Sequence, residues 1–235
     1  MTSLNSNPIL SLAETQDARE LAAITTRAFE VSDIVYPIIW GNTEPGVHDT
    51  AVMLLFNPMQ SETIVTWKVE IDGKIVGYAR WSLPKKFEVA EVDLGEKNEE
   101  DNESATAQHK KKVEEGWKTP AGMNFDLFMQ KMKSTVECKN RDYNSEKDMF
   151  LYLCFVDPAY HKQGIGNLLL QWGLSMADKG RRKICLVSTP QARIFYENSG
   201  WFVKENLEIN LEAYGRNEIY QRSWMIREAR DKEDL

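Results

Sequence analysis

The hydrophobic pattern changes period several times along this chain, and each change predicts an element. After Thr15, a residue suited to capping, Ala18, Leu21, Ile24 and Ala28 recur at three- and four-residue intervals, which predicts a first helix beginning near Thr15. Pro37, Gly41, Pro45 and Gly46 then interrupt the pattern, and a short second helix is expected over roughly residues 49–56. The period drops to two where Val65, Trp67, Val69 and Ile71 alternate with Thr66, Lys68 and Glu70. Asp72-Gly73 supplies a turn and residues 74–83 return, so this stretch reads as a β-hairpin.

From residue 84 to 147 the pattern loosens. Residues 96–118 are crowded with Glu, Lys, Asn and Asp, including Glu99-Glu100-Asp101-Asn102-Glu103, and 95–110 read equally well as a solvated charged linker. Phe125, Phe128, Met129, Met132 and Val136 return to helical spacing, so 121–138 has a face to bury. The whole region reads as a mostly helical insertion on one face of a sheet.

Beyond residue 149 strand and helix alternate. The apolar run 149–156 is a buried strand ended by Asp157-Pro158; 164–179 is a helix with Leu168, Leu169, Trp172 and Met176 as its stripe. A short strand over 183–188, a short helix over 191–198 closed by Gly200, and strands near 201–208 and 219–226 complete the chain. The order describes a mixed α/β sheet with helices on both faces and no internal repeat.

Composition narrows the classes. With 235 residues, 42% hydrophobic and 28% charged, the chain has material for a real core. A net charge of −7 argues against nucleic acid or an anionic membrane surface as partner, and weakly favours a cationic one. The apolar run at 149–156 is far short of the ~20 residues that span a bilayer, and residues 1–8 lack the order of a signal peptide. Cys138, Cys154 and Cys185 are odd in number and far apart, so they read as reduced thiols of a cytoplasmic protein. His48, His109 and His161 are isolated, and no metal-ligand spacing occurs.

The chemistry concentrates after the strand at 149–156. There His161-Lys162-Gln163-Gly164-Ile165-Gly166-Asn167 opens a long helix. Glycines without a Cβ, unpaired N–H groups and the helix dipole together can cradle a phosphate, although a tight packing turn explains two glycines about as well. Leu169 occupies the third glycine position of a dinucleotide fingerprint, and no Gly-Lys-Ser/Thr is present for a P-loop.

About thirty residues later stands Phe195-Tyr196-Glu197-Asn198-Ser199-Gly200-Trp201. Taken jointly, residues 149–203 resemble the acyl-CoA-binding core of the GNAT superfamily of N-acyltransferases. The family's pyrophosphate loop, Gln/Arg-x-x-Gly-x-Gly/Ala, falls on His161 to Gly166, and its Leu-Tyr-x-x-x-Gly-Phe element on Phe195 to Trp201. His161, Thr189-Pro190 and Trp201 depart from the usual Gln or Arg, Asn and Phe. Asp157-Pro158-Ala159-Tyr160, Trp172-Gly173-Leu174 and Pro120-x-Gly122-Met123-Asn124 look like a fungal, small-molecule-type branch of the family.

The resemblance implies one domain over 8–228, with a mostly antiparallel sheet whose parallel strand pair splays to admit the cofactor. It implies acetyl-CoA as co-substrate, with Cys154, Phe155 and Val156 along the pantetheine and a backbone N–H polarising the thioester carbonyl. Lys162, Gln163, Gly164, Ile165, Gly166 and Asn167 would hold the pyrophosphate, and Tyr196 would be the general acid. A packing role is the other reading of Tyr196, and an exposed loop residue the simpler reading of His161. Cys154, a strand cysteine with no histidine near in sequence, favours direct transfer in a ternary complex over a ping-pong route. Glu70, Glu88, Glu91 and Asp33 read as surface charges, and none is assigned as base. Residues 30–50, 84–147 and the hairpin near Tyr214 to Tyr220 would shape the acceptor side; Tyr36, Trp40, Trp117, Phe125 and Phe128 suit a partly enclosed site for a small amine. A peptide N-acetyltransferase and a non-catalytic acyl-CoA-binding module are the alternatives. Oligomeric state is left open.

Overall fold

The computed structural model describes residues 7–85 and 119–229, so the charged stretch 96–118, with Glu88, Glu91 and Trp117, lies outside the described residues. In chain order the elements are β1 (Ile9–Leu12), α1 (Ala18–Ser32), α2 (Tyr36–Trp40), α3 (Pro45–Met53), β2 (Ile64–Ile71), β3 (Lys74–Ser82), α4 (Phe125–Asp142), β4 (Met149–Val156), α5 (Ile165–Lys179), β5 (Ile184–Ser188), α6 (Arg193–Asn198), β6 (Phe202–Asn210) and β7 (Ile219–Arg227). The strands form one open seven-stranded sheet in the order β1-β2-β3-β4-β5-β7-β6. All neighbours are antiparallel except β4 and β5.

The predicted hairpin is β2–β3, with Asp72 at φ 51° and Gly73 at φ 73° in the turn, the backbone that the twist of two-residue hairpins favours. Helices cover both faces. On one face α5 lays Ile165, Leu169 and Leu170 against Val65, Val69, Trp81 and Leu151. The fit there is close: a Cβ on Gly173 would stand 2.3 Å from the Trp81 ring, so only glycine lets helix and sheet approach this far. On the other face α1 packs Leu21 and Ile24 near Tyr78 and Phe56, while α4 covers Phe150, Cys185 and Trp224 with Cys138.

Several elements differ from the sequence pattern. β1 is too short to announce itself; it pairs along β2 from Ile9↔Glu70 to Leu12↔Trp67. A single 3-10 turn, Thr15–Asp17, precedes α1, with Glu14 rather than Thr15 at the cap and Asp17 accepting from the Glu14 N–H. The second expected helix begins earlier, as α3, and continues as a 3-10 turn over Leu54–Phe56. The polar row of β2 is not solvated: Thr66 and Lys68 are buried under the α1 face, Lys68 bonded to Asp17 at 2.8 Å and Thr66 to the Arg80 guanidinium.

The largest difference is in α4. The helix forms, capped by the Asn124 side chain on the Leu127 N–H, but the row Met129, Met132 and Val136 is exposed. Leu127, Lys131, Ser134 and Cys138 turn inward instead. Polar side chains occupy the buried face because buried partners await them, as described below.

Candidate active site

β4 is the strand on which the site is built. It pairs with β3 from Ser82↔Phe150 to Gly77↔Val156, with a register shift that leaves Tyr152 as an extra residue. A bulge of this kind bends and twists the strand that carries it. On the other side β4 pairs with β5 only at Met149↔Ile184 and Phe150↔Cys185, although β5 continues to Ser188 in full pairing with β7. The two parallel strands therefore diverge at the bulge, and the β5-facing edge of residues 152–156 has no strand partner among the described residues. Unpaired strand edge of this kind bonds an extended ligand main chain readily. Cys154 and Val156 turn toward the α5 face, and Leu153 and Phe155 toward α1.

β4 ends at Asp157. Its carboxylate accepts from the Ala159 N–H at 3.0 Å and from Arg27 at 2.8 Å, fastening the end of β4 to α1. Burial opposes ionisation of Asp157, but the Ala159 N–H and the Arg27 guanidinium outweigh it and hold the carboxyl below its usual range. The His161 ring nitrogen lies 3.0 Å from the Val156 carbonyl oxygen, so this loop histidine, exposed as expected, also clips the strand end.

The chain then turns through Lys162 at φ 61° and Gly164 at φ 83° into α5. Left-handed backbone at Gly164 suits glycine, and a Cβ there would meet nothing within 4 Å, so the turn faces open space. No side chain caps α5 at Gly164, which leaves its first N–H groups and the positive end of its dipole available. The Gln163 Oε1 is buried without a partner among the described residues. Gly166 is different: a Cβ would fall 3.0 Å from the Phe195 ring, so the missing side chain at the second glycine makes room for α6. Ile165 is a core residue under β3, and Asn167 is exposed. A diphosphate-bearing group fits this turn on two observations, the uncapped helix start and the open space before Gly164.

Tyr196 lies on α6, buried against Trp201 with ring centroids 5.7 Å apart. Its hydroxyl meets the Cys154 side chain on β4, which brings the two residues together at the diverging strands. Burial, with the Cys154 thiol beside it, raises the phenol well above its ordinary value, so Tyr196 keeps its proton. Burial likewise pushes the Cys154 thiol up to about 12. A thiol held protonated is a poor nucleophile.

On the opposite face the loops expected to shape an acceptor site do converge. Val35, Ile39, Met123, Leu127, Leu211 and Tyr220 form one cluster, and the Asn124 N–H donates to the Ile39 carbonyl at 2.8 Å. Gly122, at φ 85°, is required here, since a Cβ would stand 1.8 Å from the Asn42 carbonyl oxygen. Asp33, expected at the surface, has a side chain that is 0% exposed and forms an ion pair with Lys131. Its other oxygen accepts from the Val35 N–H at 3.0 Å. Lys131 sits over the rings of Phe29 and Tyr220, and Phe29 touches Phe155 of β4 at 4.7 Å. Burial lowers the Lys131 ammonium, with Asp33 opposing. Lys131 and Arg222 escaped the sequence reading; the one available signal was the four-residue step from Leu127 to Lys131.

Residues 129–210 match the family model described as an acetyltransferase (GNAT) domain, a stretch that holds β4, the Gly164 turn, α5, β5 and α6. No curated protein matches the chain. Among solved structures, histone acetyltransferase HPA2 and related acetyltransferase from Corynebacterium glutamicum is similar, with a TM-score of 0.55, 17% identity, and coverage of 96% of this chain and 98% of that one. A putative phosphinothricin N-acetyltransferase gives 0.54, 16%, 96% and 100% in the same order. The ribosomal-protein-S18-alanine N-acetyltransferase of Escherichia coli gives 0.51, 15%, 97% and 99%. These likenesses establish a shared mixed α/β fold. Among the described residues no helix is long and apolar enough to cross a membrane, and no group of metal-ligating side chains occurs.

Proposed function

We propose that residues 8–228 form a single N-acetyltransferase domain that moves an acetyl group from acetyl-CoA to the primary amine of a small-molecule acceptor. The observation that carries this reading is the pairing of β4 with β5 at Met149 and Phe150 alone, directly before an uncapped, glycine-led helix. The unpaired edge at Cys154, Phe155 and Val156 would bond the pantetheine arm. Lys162 would bring charge, Gln163 its amide, and the N–H groups of Gly164, Ile165, Gly166 and Asn167 would receive the pyrophosphate. When bound, the thioester supplies an activated acetyl group. A backbone N–H of β4 would stabilise negative charge on the carbonyl oxygen as it develops.

Tyr196 is assigned the general-acid role. Its hydroxyl lies beside Cys154 on the diverging strand, and burial keeps it protonated until a thiolate develops within reach. Direct attack is favoured over an acyl-cysteine because Cys154 also holds its proton. All three thiols are free, which suits a reducing cytoplasmic setting.

The test is CoA release from acetyl-CoA over a panel of small amines, amino acids, polyamines and basic peptides, wild type beside Tyr196→Phe. Turnover should fall by about 10²–10⁴ in the variant while acetyl-CoA affinity changes little. Retained turnover removes Tyr196 from the chemistry, and absence of acetyl-CoA binding sinks the whole reading. Release with peptides alone would favour a peptide N-acetyltransferase.

A further inference from the structure

The charged cluster on the α4 face stands at the open end of the β4–β5 divergence. The last β5–β7 pair is Ser188↔Ser223, so Arg222 and Tyr220 follow where β5 stops. On the β4 side Phe29 packs on Phe155, beyond the last β4–β5 pair at Phe150. Lys131 bridges the two sides, 5.3 Å from the Phe29 ring centroid and 5.6 Å from that of Tyr220.

Its charges do not balance. Arg222 is only 6% exposed, and its guanidinium donates to the Lys131 carbonyl at 2.5 Å, the Ser134 hydroxyl at 3.1 Å and the Thr135 hydroxyl at 3.2 Å. All three acceptors are neutral. Its Nε is buried with no partner among the described residues, and the Tyr220 hydroxyl faces Asp33 without meeting hydrogen-bond geometry. Among the described residues Asp33 is the one carboxylate in the cluster, and it is bound by Lys131. Two cations thus share one buried anion.

Arg80 shows what a purely structural buried arginine looks like in this fold. It too lacks a carboxylate, but it donates to the Pro58 and Met59 carbonyls and the Thr66 hydroxyl, with no second buried cation bonded to it. Burying an uncompensated charge is costly, and an unsatisfied donor adds to the cost. An incoming anion would relieve both at the Lys131 and Arg222 cluster.

We propose that Lys131 and Arg222 form a carboxylate subsite, so that the acceptor is an amine that also bears a carboxylate, as an amino acid does. This rests on the acetyl-transfer reading above and narrows its acceptor. The carboxylate would be held by the guanidinium and ammonium at the open end, with the amine directed inward toward the bulge at Tyr152. Net negative charge over the whole chain does not oppose this, because the local cluster is positive.

The experiment compares L-amino acids with the matching amino-acid amides as acceptors, by CoA release, in wild type and Arg222→Met. Wild type should prefer the acids by roughly ten- to a hundredfold in kcat/KM, the range of a charged hydrogen bond, and Arg222→Met should bring that ratio toward one. Because Lys131→Met strands Asp33, an Asp33→Asn/Lys131→Met double variant serves as the second probe. Equal use of acid and amide, or a ratio unmoved by both variants, overturns the subsite while leaving acetyl transfer intact. If acetyl-CoA binds but no acceptor turns over, N-acetyl amino acids and their amides are titrated directly by tryptophan fluorescence. Binding of the acids alone, weakened in Arg222→Met, supports the subsite, and equal or absent binding removes it.

Discussion

On the α5 face of the β4–β5 divergence, the Gly164 turn, an apolar helix and the Tyr196 hydroxyl present mostly main-chain groups. On the α4 face, Asp33, Lys131 and Arg222 present charges buried among aromatic rings. The first side comes from a short, nearly continuous stretch of chain that matches the acetyltransferase family model. The second is assembled from α1, α4 and β7, which are far apart in sequence. On the proposed reading the first side binds a common cofactor, which backbone geometry can serve, whereas the second selects an acceptor and needs side chains matched to it. That contrast predicts different consequences for mutations on the two sides.

The largest effect is expected on the α4 face. Asp33→Ala leaves Lys131 buried without its partner, and breaking a buried pair in this way costs about 3–5 kcal/mol. Urea unfolding should show that loss, with Asp33→Ala/Lys131→Met recovering much of it. A drop below about 1 kcal/mol would mean that the pair is solvated and the two sides are less different than the geometry indicates.

Next comes the helix seat on the α5 face. Gly173→Ala drives a Cβ into the Trp81 ring, 2.3 Å away, and overpacking of this kind costs about 1–3 kcal/mol. Trp81 lies beneath α5 and away from the Gly164 turn, so thermal unfolding should report the change while acetyl-CoA affinity stays within a few-fold. A large loss of affinity at unchanged stability would place the helix seat within the binding surface.

Gly164→Ala reverses that pattern. The left-handed backbone costs alanine about 1 kcal/mol, and the new methyl meets no protein atom within 4 Å. Stability should fall only by that amount. If a ligand occupies the open space, acetyl-CoA affinity should fall by considerably more, as a fluorescence or calorimetric titration would read. Equal losses in both would indicate that the turn is structural, the account that two glycines at a helix start always permit.

The same contrast governs how much of the fold is legible in the sequence. The hairpin, the buried strand at 149–156, the helix that follows Gly164 and the Tyr196 segment were legible because their signals are local: period two, period 3.6, and glycines at a helix start. Gly166 shows the limit within that stretch, since its packing against Phe195 depends on where α6 lies. α4 shows a deeper limit. Its apolar row Met129, Met132 and Val136 pointed to the wrong face, because Lys131 finds Asp33 and Arg222 finds Ser134 and Thr135 across distances that periodicity does not measure. β1 failed for a simpler reason, being a four-residue edge strand without alternation.

The smallest effect concerns the hinge between the two sides, where Asp157 ties the end of β4 to Arg27 of α1. Asp157 has a folded-state value below the ordinary carboxylate range, so its contribution is fully present above that ordinary value and is lost as pH falls through the lower folded one. The Arg27 side chain is 40% exposed, so screening keeps the contribution under about 1 kcal/mol. Asp157→Asn should therefore shift the urea midpoint slightly at neutral pH, and the shift should shrink as pH falls below the ordinary carboxylate value of about 4 and through the lower folded one. The Ala159 N–H bond can survive the substitution through the Asn oxygen, which leaves the Arg27 charge as the group being weighed. An undiminished difference at low pH would assign the effect to the turn geometry at Pro158 instead, and would release α1 from any electrostatic hold on the strand that both sides share.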